Sequence, residues 1–222
     1  EVYYFPSDQQ NPKPKLIQKR ENEIIYSIDS WKDCFYLYTN KNAQDFKICK
    51  CDKKNLFKWK DFIPAKDQVL IGGFTMLKDW MIRSEVTNAL PKLFIRNLKT
   101  NEEEELIFAD EKVYSPGFSI MQRDRNTDLI HLNYASPKTP GRTYLYNLKT
   151  REKKLIKEEE IPSGHNSNNY IVERLECDSS DGQKIPITIT RHKNTALDGN
   201  AKVLLYGYGS YGASMFPGFS GS

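Results

Sequence analysis

A mainly β chain that includes part of a β-propeller is predicted by three observations. Aromatic and β-branched residues gather in short runs, polar turns divide those runs, and one strand–turn unit recurs from Asn97 to Asn147. The composition agrees: Tyr occurs 13 times and Phe 11 times, and such residues favour pleated, half-buried strands. With 38% hydrophobic residues over 222 positions the chain can bury a core, which excludes wholesale disorder. The length allows one large domain or two smaller ones of about 100–200 residues.

The strands follow in order. Residues 35–39 (FYLYT), 46–51, 69–74, 80–84 (WMIRS), 93–98 and 143–148 each read as one, with polar turns between them. The repeat then specifies the architecture. Residues 93–100 read LFIRNLKT and 143–150 read TYLYNLKT; a charged hairpin follows each, then Leu106-Ile107 or Leu155-Ile156. An earlier analogue spans Ile48 to Asn55. A period of about 40–50 residues with several strands per unit fits propeller blades, here about three to four, which do not close a ring. The bland alternative is a common strand–turn–strand unit arising twice.

Residues 157–169 change character, from Glu158-Glu159-Glu160 to the turn-rich run Ile161 to Asn169, and mark a domain boundary near residue 165. Beyond it, 171–177 and 185–190 form a predicted hairpin around Asp181-Gly182, a tight-turn pair. Ile185, Ile187 and Ile189 alternate with threonines, and Pro186 places that strand at an edge or a bulge. Val203 to Tyr206 is an apolar run short enough for a buried strand, and it leads into GYGSYG at 207–212.

Several function classes fall away on charge and cysteine content. The formal net charge is +4 and scattered, without the basic stripe of a nucleic-acid binder. The acidic run Glu102–Glu105 and the basic pairs Lys53-Lys54 and Lys153-Lys154 read as solvated loop tips. Cys34, Cys49, Cys51 and Cys177 lack the second close pair or the histidines that zinc requires, and four thiols do not make a disulfide scaffold; a reducing, cytoplasmic setting is expected. Cys49 and Cys51, two residues apart on a strand, share one face. No run approaches the ~18 apolar residues of a membrane span. His131, His165 and His192 read as surface or loop residues. The chain starts Glu1-Val2-Tyr3 and ends at Gly221-Ser222 inside a glycine-rich stretch, so both ends are expected to be cuts in a longer protein.

GYGSYG is the segment that carries chemistry. It matches G-x-G-x-x-G after a strand, but dinucleotide binding needs a helix to open at the last glycine, and Pro217-Gly218 follows too soon. Ser210 is not a nucleophile elbow, because Tyr208 stands where G-x-S-x-G needs glycine; Ser220 fails at Ser222. An oxyanion loop is the remaining reading. Glycines let backbone approach substrate closely, and a phenol, neutral at pH 7 with an ordinary pKa of about 10, donates without bringing charge. One such donor is typically worth about 3–4 kcal/mol of barrier.

Residues 170–212, YIVERLECDSSDGQKIPITITRHK through KVLLYGYGSYG, resemble the start of the peptidase domain in the prolyl oligopeptidase family. GYGSYG followed by Ala213-Ser214 is more similar to the oligopeptidase B branch than to prolyl oligopeptidase itself, as is Tyr134-Ala135-Ser136-Pro137-Lys138-Thr139-Pro140. The similarity is strong over 131–220 and collinear further back. It implies a propeller over residues 1–165 and the first strands of an α/β-hydrolase over 166–222. It implies a serine oligopeptidase that cleaves short peptides by acyl transfer, with Arg or Lys before the scissile bond as the candidate specificity. By the same resemblance Tyr208 supplies the oxyanion-hole hydroxyl and Tyr211 lines the substrate pocket. The catalytic triad lies outside this chain, which is expected to be inactive alone. No cofactor or metal is implied; the partners are short peptides and the remainder of its own propeller and hydrolase domain, not nucleic acid or membrane. Phe216 and Gly218 stand where the oligopeptidase B pattern carries acidic residues, which argues against a dibasic preference. The competing reading is a non-catalytic propeller binding module, in which GYGSYG is only a tight connection.

Overall fold

The computed structural model describes residues 1–108, 111–121 and 124–221. The chain is mainly β, and its contacts divide it into two compact units, Glu1–Gly73 and Phe74–Ser222, with the division falling inside one strand.

In the first unit β1 (Val2–Tyr4) pairs antiparallel with β2 (Lys15–Gln18). A four-stranded meander follows: β3 (Tyr26–Trp31), β4 (Cys34–Thr39), β5 (Lys47–Asp52) and β6 (Lys60–Ile63). The β3–β4 connection is the two-residue turn Lys32-Asp33, with Lys32 at φ 50. Cys49 and Cys51 lie opposite Leu37 and Phe35 in the register, and all four side chains are buried on one face, as period-two alternation requires. A cluster of Ile17, Phe35 and Cys51 is completed by Val2, Tyr4, Ile28, Leu56 and Trp59. The Tyr4 and Phe35 rings meet edge-on at 4.9 Å, the arrangement that ring quadrupoles favour.

Two more meanders follow. One consists of β7 (Val69–Leu77), β8 (Trp80–Thr87), β9 (Leu90–Asn97) and β10 (Glu103–Glu105); the other of β11 (Ser115–Ser119), β12 (Leu129–Ala135), β13 (Arg142–Asn147) and β14 (Lys153–Glu158). The β8–β9 turn is Asn88-Ala89 with φ of 50 and 53, the doubly left-handed bend whose twist suits a two-residue hairpin. The core of the second unit gathers Leu77, Trp80, Ile82, Leu93, Ile95, Leu106 and Phe108 from one sheet and its exit, and Ile130, Leu132, Tyr134, Tyr146 and Leu148 from the next. Each fully buried aliphatic side chain contributes about 1.5–3 kcal/mol, so this seam is the main source of stability in that unit.

The repeat seen in the sequence is one hydrogen-bonding device. Asn97 Oδ1 accepts from the backbone N–H of Lys99 (2.9 Å) and Thr100 (3.3 Å), and Asn147 Oδ1 accepts from Lys149 (2.9 Å) and Thr150 (3.1 Å). The next residue then donates its amide to a carbonyl one hairpin back: Leu98 to Asp79 and Leu148 to Asp128, both at 2.8 Å. In the first meander Asp52 replaces the asparagine, accepting from Lys54 at 2.7 Å, and Lys53 donates to the Asp33 carbonyl at 2.9 Å. An Asx turn of this kind satisfies backbone donors where the chain reverses, which is why the same side chain recurs.

Lys53-Lys54 lies in a turn, as expected, but the other two charge runs differ from expectation. Glu103–Glu105 is not a loop tip but the edge strand β10, and each carboxylate has a cationic partner: Arg83 for Glu103, Arg151 at 2.5 Å for Glu104, and Lys92 at 3.0 Å for Glu105. Lys153-Lys154 likewise opens edge strand β14, with the Lys153 ammonium 4.8 Å from the Phe108 ring centroid. Charged side chains suit an edge, where they deter pairing with another chain.

Candidate functional site

Downstream of β14 the chain turns through residues 159–169, ending in a short 3-10 turn (Ser167–Asn169) whose preceding Asn166 side chain accepts from the Asn168 amide. Two long strands then pair antiparallel without a bulge, β15 (Tyr170–Asp178) and β16 (Lys184–His192). The turn between them is the one read from Asp181-Gly182, with Gly182 at φ 81 and Asp181 Oδ1 accepting from the Gln183 amide. Pro186 faces Glu176 in a two-stranded sheet, where every strand is an edge and a missing donor costs little.

The expected strand at Val203–Tyr206 does not form. Those four side chains are 75–90% exposed, and the segment is irregular. An apolar run becomes a strand only where a neighbouring strand takes up its backbone hydrogen bonds, and the two-stranded sheet β15–β16 does not extend to it.

Within GYGSYG, Gly209 precedes a single 3-10 turn over Ser210–Gly212, closed by the Ala213 amide on the Ser210 carbonyl at 3.1 Å. Ala213 is already extended (φ −80, ψ 135), so no α-helix opens at Gly212 and the phosphate-binding geometry of a dinucleotide fingerprint is absent. Tyr211 occupies the left-handed region (φ 57, ψ 29), followed by Gly212 at φ 69. A bulky residue there is strained, and the bend throws its ring outward: Tyr211 is 99% exposed. Tyr208 is 53% exposed, and a Cβ added at either flanking glycine, Gly207 or Gly209, would meet nothing within 4 Å. Phe216 and Gly218 also lie at the surface. The two tyrosines therefore share one open, glycine-jointed bend. A polar surface groove of about 320 Å³ lies elsewhere, lined by Pro140, Glu158 and His165 among others.

Sequence reasoning missed the residues that hold this segment down. Pro217 is buried, and its carbonyl accepts the Ser115 hydroxyl. The Phe219 ring meets His165 edge-on at 4.9 Å. His165 is thus no free loop residue: it is half-buried, 2.7 Å through Nε2 from the Lys138 carbonyl and stacked on Tyr170. Lys138 lies in the ASPKTP stretch singled out above, but its pairing across 27 positions has no local signal.

Consecutive four-stranded meanders, each with the same turn between its third and fourth strands, then a hairpin and a glycine-rich bend, define a chain of β-propeller blades with an appended segment. The chain belongs to the prolyl oligopeptidase family of serine peptidases: the family model described as "Prolyl oligopeptidase, N-terminal beta-propeller domain" matches residues 1–159. Dipeptidyl aminopeptidase BI of Pseudoxanthomonas mexicana is 36% identical over 209 residues, covering 92% of this chain and 28% of that protein. Protease 2 of Moraxella lacunata is 23% identical, covering 99% of this chain and 31% of that protein. Among solved structures, oligopeptidase B from Trypanosoma brucei, in a closed form with covalently bound antipain, superimposes with a TM-score of 0.86 at 25% identity, covering 94% of this chain and 31% of that one. Oligopeptidase B from Leishmania major shares the fold at a TM-score of 0.88 and 19% identity, covering 98% of this chain and 32% of that one. The chain thus spans less than a third of the length of the relatives it matches.

Proposed function

We propose that this chain is part of a cytoplasmic serine oligopeptidase, with propeller blades over residues 1–165 and the first part of its α/β-hydrolase domain over 166–222. Tyr208 serves as the hydroxyl donor of the oxyanion hole, and Tyr211 as an aromatic wall of the substrate pocket. The observation that carries this reading is the half-exposed Tyr208 ring on a glycine-flanked bend that does not continue as a helix. In the reaction a serine supplied by the remainder of the protein attacks the scissile carbonyl as the triad histidine, also from that remainder, takes its hydroxyl proton. The carbonyl π electrons move onto oxygen, and a phenol aimed at that oxygen stabilises the charge as it develops. A donor that acts on charge present only in the transition state raises kcat and leaves KM largely unchanged.

The test is Tyr208→Phe in the full-length protein. It is expected to lower kcat by roughly a hundred- to a thousand-fold with little change in KM. An unchanged kcat overturns the assignment. The separate 222-residue chain, lacking a triad, is expected to leave peptide esters intact. Arg or Lys before the scissile bond is the preference proposed for the whole enzyme. A panel of peptides with Arg, Lys or Pro at that position, each with free and blocked N-termini, tests it, and release of N-terminal dipeptides irrespective of a basic residue would overturn it.

A further inference from the structure

The bend that carries Tyr208 is permissive along its length. Gly207, Gly209, Gly212, Gly218 and Gly221 all face open space, and residues 201–216 are exposed. Glycine loses more conformational freedom on ordering than any other residue, so such a segment does not fix itself. Yet a catalytic hydrogen-bond donor must be held to within about 0.5 Å of its working position.

Two side chains from earlier elements supply a hold just beyond the bend. Ser115, the first residue of β11, donates its hydroxyl to the Pro217 carbonyl. Proline has a fixed φ and no N–H, so a bond to its carbonyl anchors a stiff point of the chain. Two residues on, Phe219 presents itself edge-on to His165 at 4.9 Å and 77°. His165 is immobilised in turn. Its Nε2 lies 2.7 Å from the Lys138 carbonyl, an acceptor only, so that nitrogen carries the proton and donates. Its ring stacks on Tyr170 at 5.2 Å and 19°, and Tyr170 meets His192 edge-on at 5.7 Å. The sheet containing β11, the β12–β13 turn and the β15–β16 hairpin therefore converge on residues 217–219.

We propose that Ser115 and His165 are positioning residues for Tyr208: they pin residues 217–219 to the sheet β11–β14 and so set where the glycine bend presents its phenol. This rests on the reading of Tyr208 as the oxyanion donor. It makes the placement of a peptidase-domain donor depend on a propeller strand.

The experiment compares Ser115→Ala, Ser115→Thr, His165→Phe, Tyr208→Phe and the double variant Ser115→Ala/Tyr208→Phe in the full-length protein. Ser115→Ala is expected to lower kcat about ten-fold with KM within two-fold, since small misplacements of a catalytic group carry penalties of that order. Ser115→Thr keeps the hydroxyl and restores the rate. His165→Phe keeps the rings but loses the bond to Lys138, and lowers kcat less than Ser115→Ala. Affinity for a peptide aldehyde, which mimics the tetrahedral intermediate, falls with kcat, whereas affinity for an uncleavable substrate analogue stays constant. Because Ser115 acts through Tyr208, the double variant is no slower than Tyr208→Phe alone. If Ser115→Ala slows Tyr208→Phe by the same factor as it slows the unaltered enzyme, the positioning role is overturned and the oxyanion role stands. If Tyr208→Phe is fully active, the oxyanion reading itself falls. Should Ser115→Ala not fold, Ser115→Cys, a weaker donor of similar volume, takes its place in the same cycle with the same outcomes.

Discussion

The indole N–H of Trp80 donates to Asp128 Oδ1 at 2.9 Å, while the Lys78 ammonium holds the other carboxylate oxygen. Trp80 opens β8 and Asp128 immediately precedes β12, so one carboxylate ties two successive blades together across the buried seam. Burial acts to raise the Asp128 carboxyl, but the hydrogen bonds from Lys78 and Trp80 and the charges of Lys78 and Lys149 outweigh it and hold it below the usual range.

A carboxylate whose folded pKa is depressed contributes stability above its unfolded value of about 3.9 and loses that contribution as pH falls through the lower folded value. Asp128→Asn keeps an acceptor for Trp80 but no longer titrates. Its urea midpoint is therefore expected to fall less steeply below pH 4 than that of the unaltered protein. Asp128→Ala leaves the buried indole N–H without this acceptor and is expected to cost about 2 kcal/mol at pH 7.

Arg83 is fully buried and bridges two carboxylates. It reaches Glu85 Oε1 through Nε at 2.9 Å and Nη2 at 2.6 Å, and Glu103 Oε1 through Nη2 at 2.8 Å, with its guanidinium carbon 4.6 Å from the Phe94 ring centroid. Arg83→Met removes the cation beside buried Glu85 and is expected to destabilise by about 3–5 kcal/mol. Adding Glu85→Gln recovers part of that loss. Arg83→Lys does not rescue, because a point charge cannot reproduce the fork. Chemical denaturation of the three variants checks the order.

Asn97→Ala and Asn147→Ala are each expected to cost about 1–2 kcal/mol, since each asparagine accepts two backbone amides that would otherwise lack that partner. Asn147→Asp should be nearly neutral, because Asp52 already performs the same task in the first meander. The two alanine costs should add, and a double variant measured by denaturation tests this.

Burial first, and then the hydrogen bond to Asp61, pushes the Cys49 thiol up to about 11. Cys49 and Cys51 should therefore resist thiol reagents in the folded protein at pH 8, while exposed Cys177 reacts first. A thiol with a raised folded pKa supports stability fully below its unfolded value of about 8.5 and loses that support as pH rises through 11. Cys49→Ser, which does not titrate there, should flatten that alkaline decline, and counting thiols with and without denaturant checks the reactivity.

The amino-acid sequence by itself determined the local features: the short strands, the Asn-Leu-Lys-Thr turn and its recurrence, the Asp181-Gly182 hairpin and the glycine-flanked Tyr208. Each rests on side-chain alternation or turn chemistry contained within a few residues, so each is legible there. Tertiary structure alone decided which distant groups meet. It turned Glu103–Glu105 from an apparent loop tip into an edge strand matched to Arg83, Lys92 and Arg151, and it placed His165 between Lys138, Tyr170 and Phe219. It also left Val203–Tyr206 unpaired, because apolar content promotes a strand only where a neighbour's backbone is in reach. Ser115 and Pro217, 102 positions apart, join for the same reason: a hydrogen bond needs proximity in space, and no periodicity of one segment encodes the position of the other.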